Sequence, residues 1–144
     1  MARIKIDFPE TGLFETEIKL RISDINYGGH LGNDAVLSLA HEARLRFLAA
    51  LGYSEMDVEG VAIIMNDAAV VYRSEASYGD TLRIEVAAAD PHRKGCDLLY
   101  RMTCLADERE VAIVKTGIMF FDYTSKRPVS APPRVFERFG LETA

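Results

Sequence analysis

The sequence predicts an α+β protein in which one long helix packs against a curved antiparallel sheet of about five strands. Three observations predict it. A single long helical pattern, apolar on one side, follows a first alternating strand. Four further strand patterns come after it. Most are joined by short polar turns, which require antiparallel neighbours. A helix on such a sheet is an α+β arrangement.

The elements follow in order. Residues 1–12 are a lead-in ending at Pro9 and Gly12. From Phe14 to Ser23 the pattern alternates: Phe14, Thr16, Ile18, Leu20 and Ile22 share one face, and Glu15, Glu17, Lys19, Arg21 and Ser23 the other. That is a half-buried strand. The turn Tyr27-Gly28-Gly29-His30-Leu31-Gly32 comes next. Its glycines permit backbone angles closed to other residues and let another molecule approach the backbone. Asn33 and Asp34 are good N-cap types. The predicted apolar stripe is Val36, Leu37, Ala40, Ala43, Phe47, Leu48 and Leu51, and Gly52 suits the helix end. Ser38, His41, Glu42 and Ala49 fall off the stripe.

Residues 53–60 connect to a strand over Val61–Arg73, interrupted by Asn66-Asp67, which reads as a bulge or a polar lining. Tyr78-Gly79-Asp80 turns. Thr81–Ala88 alternates with Leu82, Ile84 and Val86 inward, and residues 90–95 form a loop. Asp97–Leu105 puts Leu98, Tyr100, Met102 and Cys104 on one face and pairs as a hairpin with the nearly all-apolar Val111–Phe121. Pro128, Pro132 and Pro133 break the chain before a short helix over Val135–Phe139.

Composition narrows the class. The 144 residues fit one domain, 1–144, and carry a net charge of −5 with no basic block, so a nucleic-acid partner has no electrostatic support. No apolar run approaches the ~20 residues of a membrane span, and no apolar signal core opens the chain. A cytoplasmic protein with no membrane partner is expected. Cys96 and Cys104 on one strand stand roughly 26 Å apart at ~3.3 Å per residue, too far to bridge. They read as buried thiols of a reducing compartment. One face of the last strand stays apolar (Ala112, Val114, Thr116, Ile118, Phe120), and one helix covers one face of a sheet. The surplus apolar surface predicts a dimer or larger assembly.

A family comes into view from Asp24…Gly29-His30-Leu31-x-Asn33, Glu42-Ala43-Arg44…Phe47-Leu48…Leu51-Gly52, Tyr72…Gly79-Asp80 and Phe121-Asp122…Lys126-Arg127-Pro128-Val129. In this order the chain resembles the hotdog fold, and more narrowly the 4-hydroxybenzoyl-CoA thioesterase-like group. The resemblance implies one hotdog domain and hydrolysis of an acyl-CoA or acyl-carrier-protein thioester. It implies a homodimer or homotetramer with sites between subunits. Coenzyme A would enter only as part of the substrate, with no metal or redox cofactor. Two departures stand out. Many family members carry Asp-x-Asp where this chain has Asp24-Ile25-Asn26, and an amide cannot serve as their second Asp does, as nucleophile or base. The pattern of plant acyl-carrier-protein thioesterases has Asn-x-His; here Gly28 takes the Asn place while His30 is kept. Twelve residues further stands Glu42, where that pattern has a functional glutamate.

Hydrolysis needs activated water and donors for the oxyanion. His30 is a general base or a turn histidine bonding backbone groups. Glu42 is a base, an orienter of His30, or an i,i+4 partner of Arg46; a functional Glu42 needs another chain or element to cover its face. Asp24 is a site carboxylate or a turn-forming cap. Substrate contacts are expected from Asn26, Gly29, Leu31, Gly32, Asn33, Asn66 and Asp67, with the Leu31 and Gly32 amides as oxyanion donors and Asn33 otherwise a helix cap. Tyr72 reads as core, His41 and His92 as surface or packing residues. Arg93, Lys94, Lys126 and Arg127 are candidates for CoA phosphates. The rival readings are an enoyl-thioester hydratase or dehydratase of the same fold, and a protein that binds acyl thioesters without turning them over.

Overall fold

Alternation and helical spacing set the architecture. The computed structural model describes residues 3–142. β1 (Phe14–Lys19) leads through a 3-10 turn (Ile22–Asp24) to α1 (Asn33–Ala50). β2 (Ala62–Tyr72), β3 (Thr81–His92), β4 (Gly95–Cys104), β5 (Arg109–Asp122), the two-residue β6 (Arg127–Pro128) and α2 (Pro133–Arg138) follow. The sheet order is β1-β3-β4-β5-β2, all antiparallel, with β6 on β5. No helix among the described residues is long and apolar enough to cross a membrane.

α1 lies across one face. Val36, Leu39, Ala40, Ala43, Phe47 and Leu48 are buried with the inward rows of β3, β4 and β5. The Phe47 ring stands 5.9 Å from Phe14 and 5.3 Å from Phe139, tying β1 and the C-terminal segment to the helix. The predicted stripe needs correcting. Leu37 is 41% exposed, and Leu39 replaces it in the core. At about 100° per residue Leu37 falls between Arg44 and Leu48, both buried, so what the helix meets at that level, and not the angle, leaves Leu37 exposed.

Ile22 is exposed, because the strand ends at Lys19 and the 3-10 turn swings it outward. The loop expected over 90–95 shrinks to Arg93-Lys94; β3 runs on through Pro91, where a register shift between Ala89 and His92 spares the ring a ladder bond. Gly95 is obligatory, since a side-chain carbon there would overlap the carbonyl oxygen of Ile118. Cys96 and Cys104 both lie buried and unpaired on β4, and burial, with Asp97 adding, pushes the Cys96 thiol up to about 12. The lead-in covers part of the sheet's outer face: Phe8 lies under Arg101 at 4.7 Å.

Arg44 brings a charge against the core. Arg44 is 6% exposed, and its Nε donates to Glu55 Oε2 at 2.7 Å. Its Nη1 donates to the Tyr100 hydroxyl at 3.1 Å, which is 2.8 Å from Thr116 Oγ1. His41 Nε2 reaches the other Glu55 oxygen at 3.0 Å. Burial alone would raise the Glu55 carboxyl, but hydrogen bonds from Arg44 and His41 hold it below the usual carboxylate range.

Candidate active site

Three segments meet around the start of α1: the 3-10 turn with its glycine loop, the first helical turn, and the stretch after β2. Asp24 holds the first. It is 5% exposed, and its Oδ2 accepts the Arg21 backbone N–H at 2.8 Å. Its carbonyl accepts the Gly32 N–H at 2.9 Å. Asn26 closes the loop: its Oδ1 accepts the N–H groups of Gly28 at 2.9 Å and His30 at 3.3 Å. Its own N–H donates to the His30 carbonyl at 2.8 Å. Gly29 takes φ +85, the left-handed region that favours glycine.

His30 emerges from this loop with its Nε2 3.1 Å from Glu75 Oε2. The Leu31 N–H donates to the Ala76 carbonyl at 2.8 Å. The amides of Leu31 and Gly32, expected as oxyanion donors, are thus consumed inside the chain. Their geometry closes the turn onto Asp24 and Ala76 and points neither N–H at a ligand.

Neither Asn33 nor Asp34 caps the helix. The N-cap is Gly32, with no side-chain cap bond. Gly32 has an ordinary φ of −71, and a side chain there would have to push aside the tip of Asp34, whose Oδ1 would stand 2.7 Å away. The N–H groups of Asn33 and Asp34 have no acceptor among the described residues. They carry the positive end of α1. A cleft of about 230 Å³ opens beside Asn33, with Leu31, Val36 and Val111 as apolar lining and Asn33, Tyr72 and Glu75 as polar rim. Tyr72 corrects its expected core role: it is 51% exposed and donates its hydroxyl to the Asn33 carbonyl at 3.2 Å.

Glu42 lies on the other side of α1. It is 2.8 Å from Arg46 Nε, and Arg46 Nη1 reaches Thr16 Oγ1 at 2.8 Å and the Glu17 carbonyl at 3.0 Å on β1. With Asp24 it lines a separate cleft of about 300 Å³. One chain therefore gathers Glu42 and Asp24 on the β1 side of the helix, and Leu31, Asn33, Tyr72 and Glu75 on the β2 side.

Asn66 and Asp67 mark a bulge, with a register shift between Met65 and Asp67. Both Asp67 oxygens stand 2.8 Å from Lys115 Nζ, and Oδ1 accepts the Gly117 N–H at 3.0 Å. Lys115 and Gly117 alternate with the core residues of β5, so this cluster faces away from α1. Glu75 and Tyr72 are the residues of this region that sequence reasoning missed or misplaced. Glu75 lies in an aperiodic connection, and no local pattern marks it.

Three comparisons bear on this geometry. A model of the thioesterase-like superfamily matches residues 20–139. A search of curated protein sequences returns no match. Solved structures share the fold. A 1,4-dihydroxy-2-naphthoyl-CoA thioesterase, Slr0204 from Synechocystis, is 16% identical with a TM-score of 0.79, covering 88% of this chain and 95% of its own. A DHNA-CoA thioesterase from Staphylococcus aureus is 18% identical with a TM-score of 0.77, covering 88% and 87%. A thioesterase-superfamily protein from Jannaschia is 15% identical with a TM-score of 0.78, covering 94% and 89%. The long helix and its antiparallel sheet are the hotdog fold.

Proposed function

Since the chain belongs to the thioesterase-like superfamily, we propose that it hydrolyses an acyl-coenzyme A thioester, or the equivalent acyl-carrier-protein thioester, to free acid and thiol. The observation that carries this reading is the His30 loop hydrogen-bonded to a helix start whose first amides are uncapped, next to a half-apolar cleft. Each part supplies something thioester hydrolysis requires. The His30 imidazole takes a proton from water as the water oxygen attacks the carbonyl carbon. The Asn33 and Asp34 amides stabilise the charge that develops on the carbonyl oxygen. The tetrahedral intermediate collapses, the C–S bond breaks, and the imidazolium returns the proton to the leaving thiolate.

Asn26, in place of the family's second Asp, acts on this reading through the loop. Its Oδ1 accepts two backbone N–H groups and presents His30. Proton transfer is assigned to His30 and not to Glu42, which Arg46 already engages. Asp24 is a structural cap. Assembly as a homodimer or homotetramer is part of this reading, supported by β2, which offers eleven residues of edge with β5 on one side only. The unpaired buried thiols accord with a cytoplasmic setting.

The test is free-thiol release from short, medium, long, branched and aromatic acyl-CoAs. One class should release thiol well above background, and His30→Ala should lower that rate about 100-fold or more, the scale of a lost general base. Undiminished turnover removes His30 from the mechanism. Loss of enoyl absorbance from a trans-2-enoyl-CoA without thiol release turns the reaction into hydration. Binding without product over hours makes the protein an acyl-thioester carrier.

A further inference from the structure

We propose that Glu75 is the positioning residue of His30: its carboxylate holds one ring nitrogen so that the other is presented as the base. The proposal rests on the hydrolytic reading of this site. The two side chains meet at 3.1 Å, Nε2 to Oε2. A neutral imidazole that donates Nε2–H to a carboxylate keeps its lone pair on Nδ1. The base in the hydrolytic step is then Nδ1: it takes the water proton, holds it through the tetrahedral intermediate, and passes it to the departing sulfur. Glu75 keeps its charge throughout and faces the imidazolium when it forms.

The pair is exposed, at 42% and 74%, and exposed ion pairs contribute little to stability. What separates this one from a chance surface contact is the backbone beneath it. Segment 74–77 is fixed from both directions. Ser74 Oγ donates to the Glu110 carbonyl at 2.6 Å, and Arg109 Nη1 donates to Ser74 Oγ at 3.1 Å and to the Glu75 carbonyl. Ala76 accepts the Leu31 N–H at 2.8 Å, and Ser77 forms a β-bridge with His30 itself. On the other side, Asn26 fixes the His30 backbone through its N–H and carbonyl. Both side chains therefore project from backbone that is locked in mutual register. Glu75 also lines the cleft beside the helix start with Leu31 and Asn33, which puts the carboxylate at the rim of the proposed reaction site. The carboxylate beside His30 comes from the connection after β2, and not from Asp24 or Glu42, which face the β1 side.

The experiment combines kinetics with imidazole nitrogen NMR on the full chain. Its three histidines, His30, His41 and His92, give a countable spectrum that His30→Ala assigns. In Glu75→Gln the ring resonances of His30 should move while those of His41 and His92 stay. Glu75→Ala should lower kcat about 10- to 100-fold, the scale seen for outer partners that orient functional histidines, with KM little changed. It should lower the rate no further in a His30→Ala background. Unmoved His30 resonances overturn the proposal. So does a kcat within about twofold of wild type, or an equal loss with and without His30. A wild-type protein that releases no thiol removes the hydrolytic reading and the positioning role with it, and the ring shift still reports separately whether the pair exists.

Discussion

Removing Glu55 should destabilise the protein more than removing the arginine it binds. The perturbation is Glu55→Leu. The Arg44 side chain is 7% exposed and has two partners, Glu55 at 2.7 Å and Tyr100 at 3.1 Å. Leucine leaves the guanidinium in the core with the phenol alone. Breaking a buried pair from one side costs about 3–5 kcal/mol. Glu55 is 26% exposed, so water replaces part of its contribution and the lower end, about 3 kcal/mol, is expected. Arg44→Met is the control. It takes the charge out of the core and fills much of the same volume. It also leaves Glu55 at the surface with His41, and the Tyr100–Thr116 bond in place. Its cost should be about 1 kcal/mol. With about 2.1 cal/mol/K of unfolding entropy per residue, those losses correspond to roughly 10 °C and 3 °C in Tm. Calorimetry and urea titration of both variants read the difference, with an unchanged m-value. A Glu55→Leu protein as stable as wild type would mean that the guanidinium reaches water. The reverse order, with Arg44→Met the costlier, would refute the reasoning about an uncompensated charge.

Two further outcomes are expected. Stability should fall in acid. Glu55 and Asp67 are held below their ordinary values, Glu55 by Arg44 and His41 against the opposing effect of burial, and Asp67 chiefly by Lys115. A depressed carboxylate contributes stability above its unfolded value and loses it as pH falls through the folded one. Tm should therefore drop as pH falls below 4.5, the ordinary glutamate value, and Glu55→Gln should flatten that slope. Asp97, raised mainly by burial, works in the opposite sense and offsets part of it. The second outcome concerns assembly. Ala68→Lys places a charge at the exposed middle of β2 and should convert a dimer into single chains of 16.0 kDa, seen by sedimentation. A wild type that already sediments at the single-chain mass sinks the edge-pairing proposal.

The elements legible in the sequence were those whose burial is periodic. Alternation at Leu82, Ile84 and Val86 and at Leu98, Tyr100 and Met102 marked β3 and β4, because one face of each packs on α1. The same spacing could not separate Leu37 from Leu39, because stripe edges are set by what the helix meets. Nor could it reveal Arg44 as a core residue. Its neutralising partner lies eleven positions on, in a connection without periodicity. The glycine loop was legible as a place and misleading in detail. Leu31 and Gly32 looked free because an amide's acceptor is set by a distant segment, here Ala76 for Leu31. Glu75 was invisible for that same reason.

The bulge in β2 has a consequence best put as a change of reading frame. Asn66 is one residue too many for the ladder, so partners step from Met65–Ile118 directly to Asp67–Gly117. Before it, odd-numbered positions such as Ile63 and Met65 turn toward the helix; after it, even-numbered ones such as Val70 and Tyr72 do. Gly117 leaves room for the side chains of Asp67 and Asn66, which would otherwise have to shift to clear a side-chain carbon there. Excising Asn66 would shorten the chain by one residue and let the ladder run on unbroken, Met65 on Ile118 and Asp67 on Gly117, with Asp67 to Tyr72 keeping their sides of the sheet. Ironing the bulge flat with Asn66 kept, so that Asn66 stood opposite Gly117, would instead transpose Asp67 to Tyr72 to the other side. The Asp67–Lys115 pair would then be lost, and the Tyr72 hydroxyl would leave the first turn of α1. A single extra residue thus divides one strand into two separately phased messages, the first written for the core and the second for the mouth of the cleft.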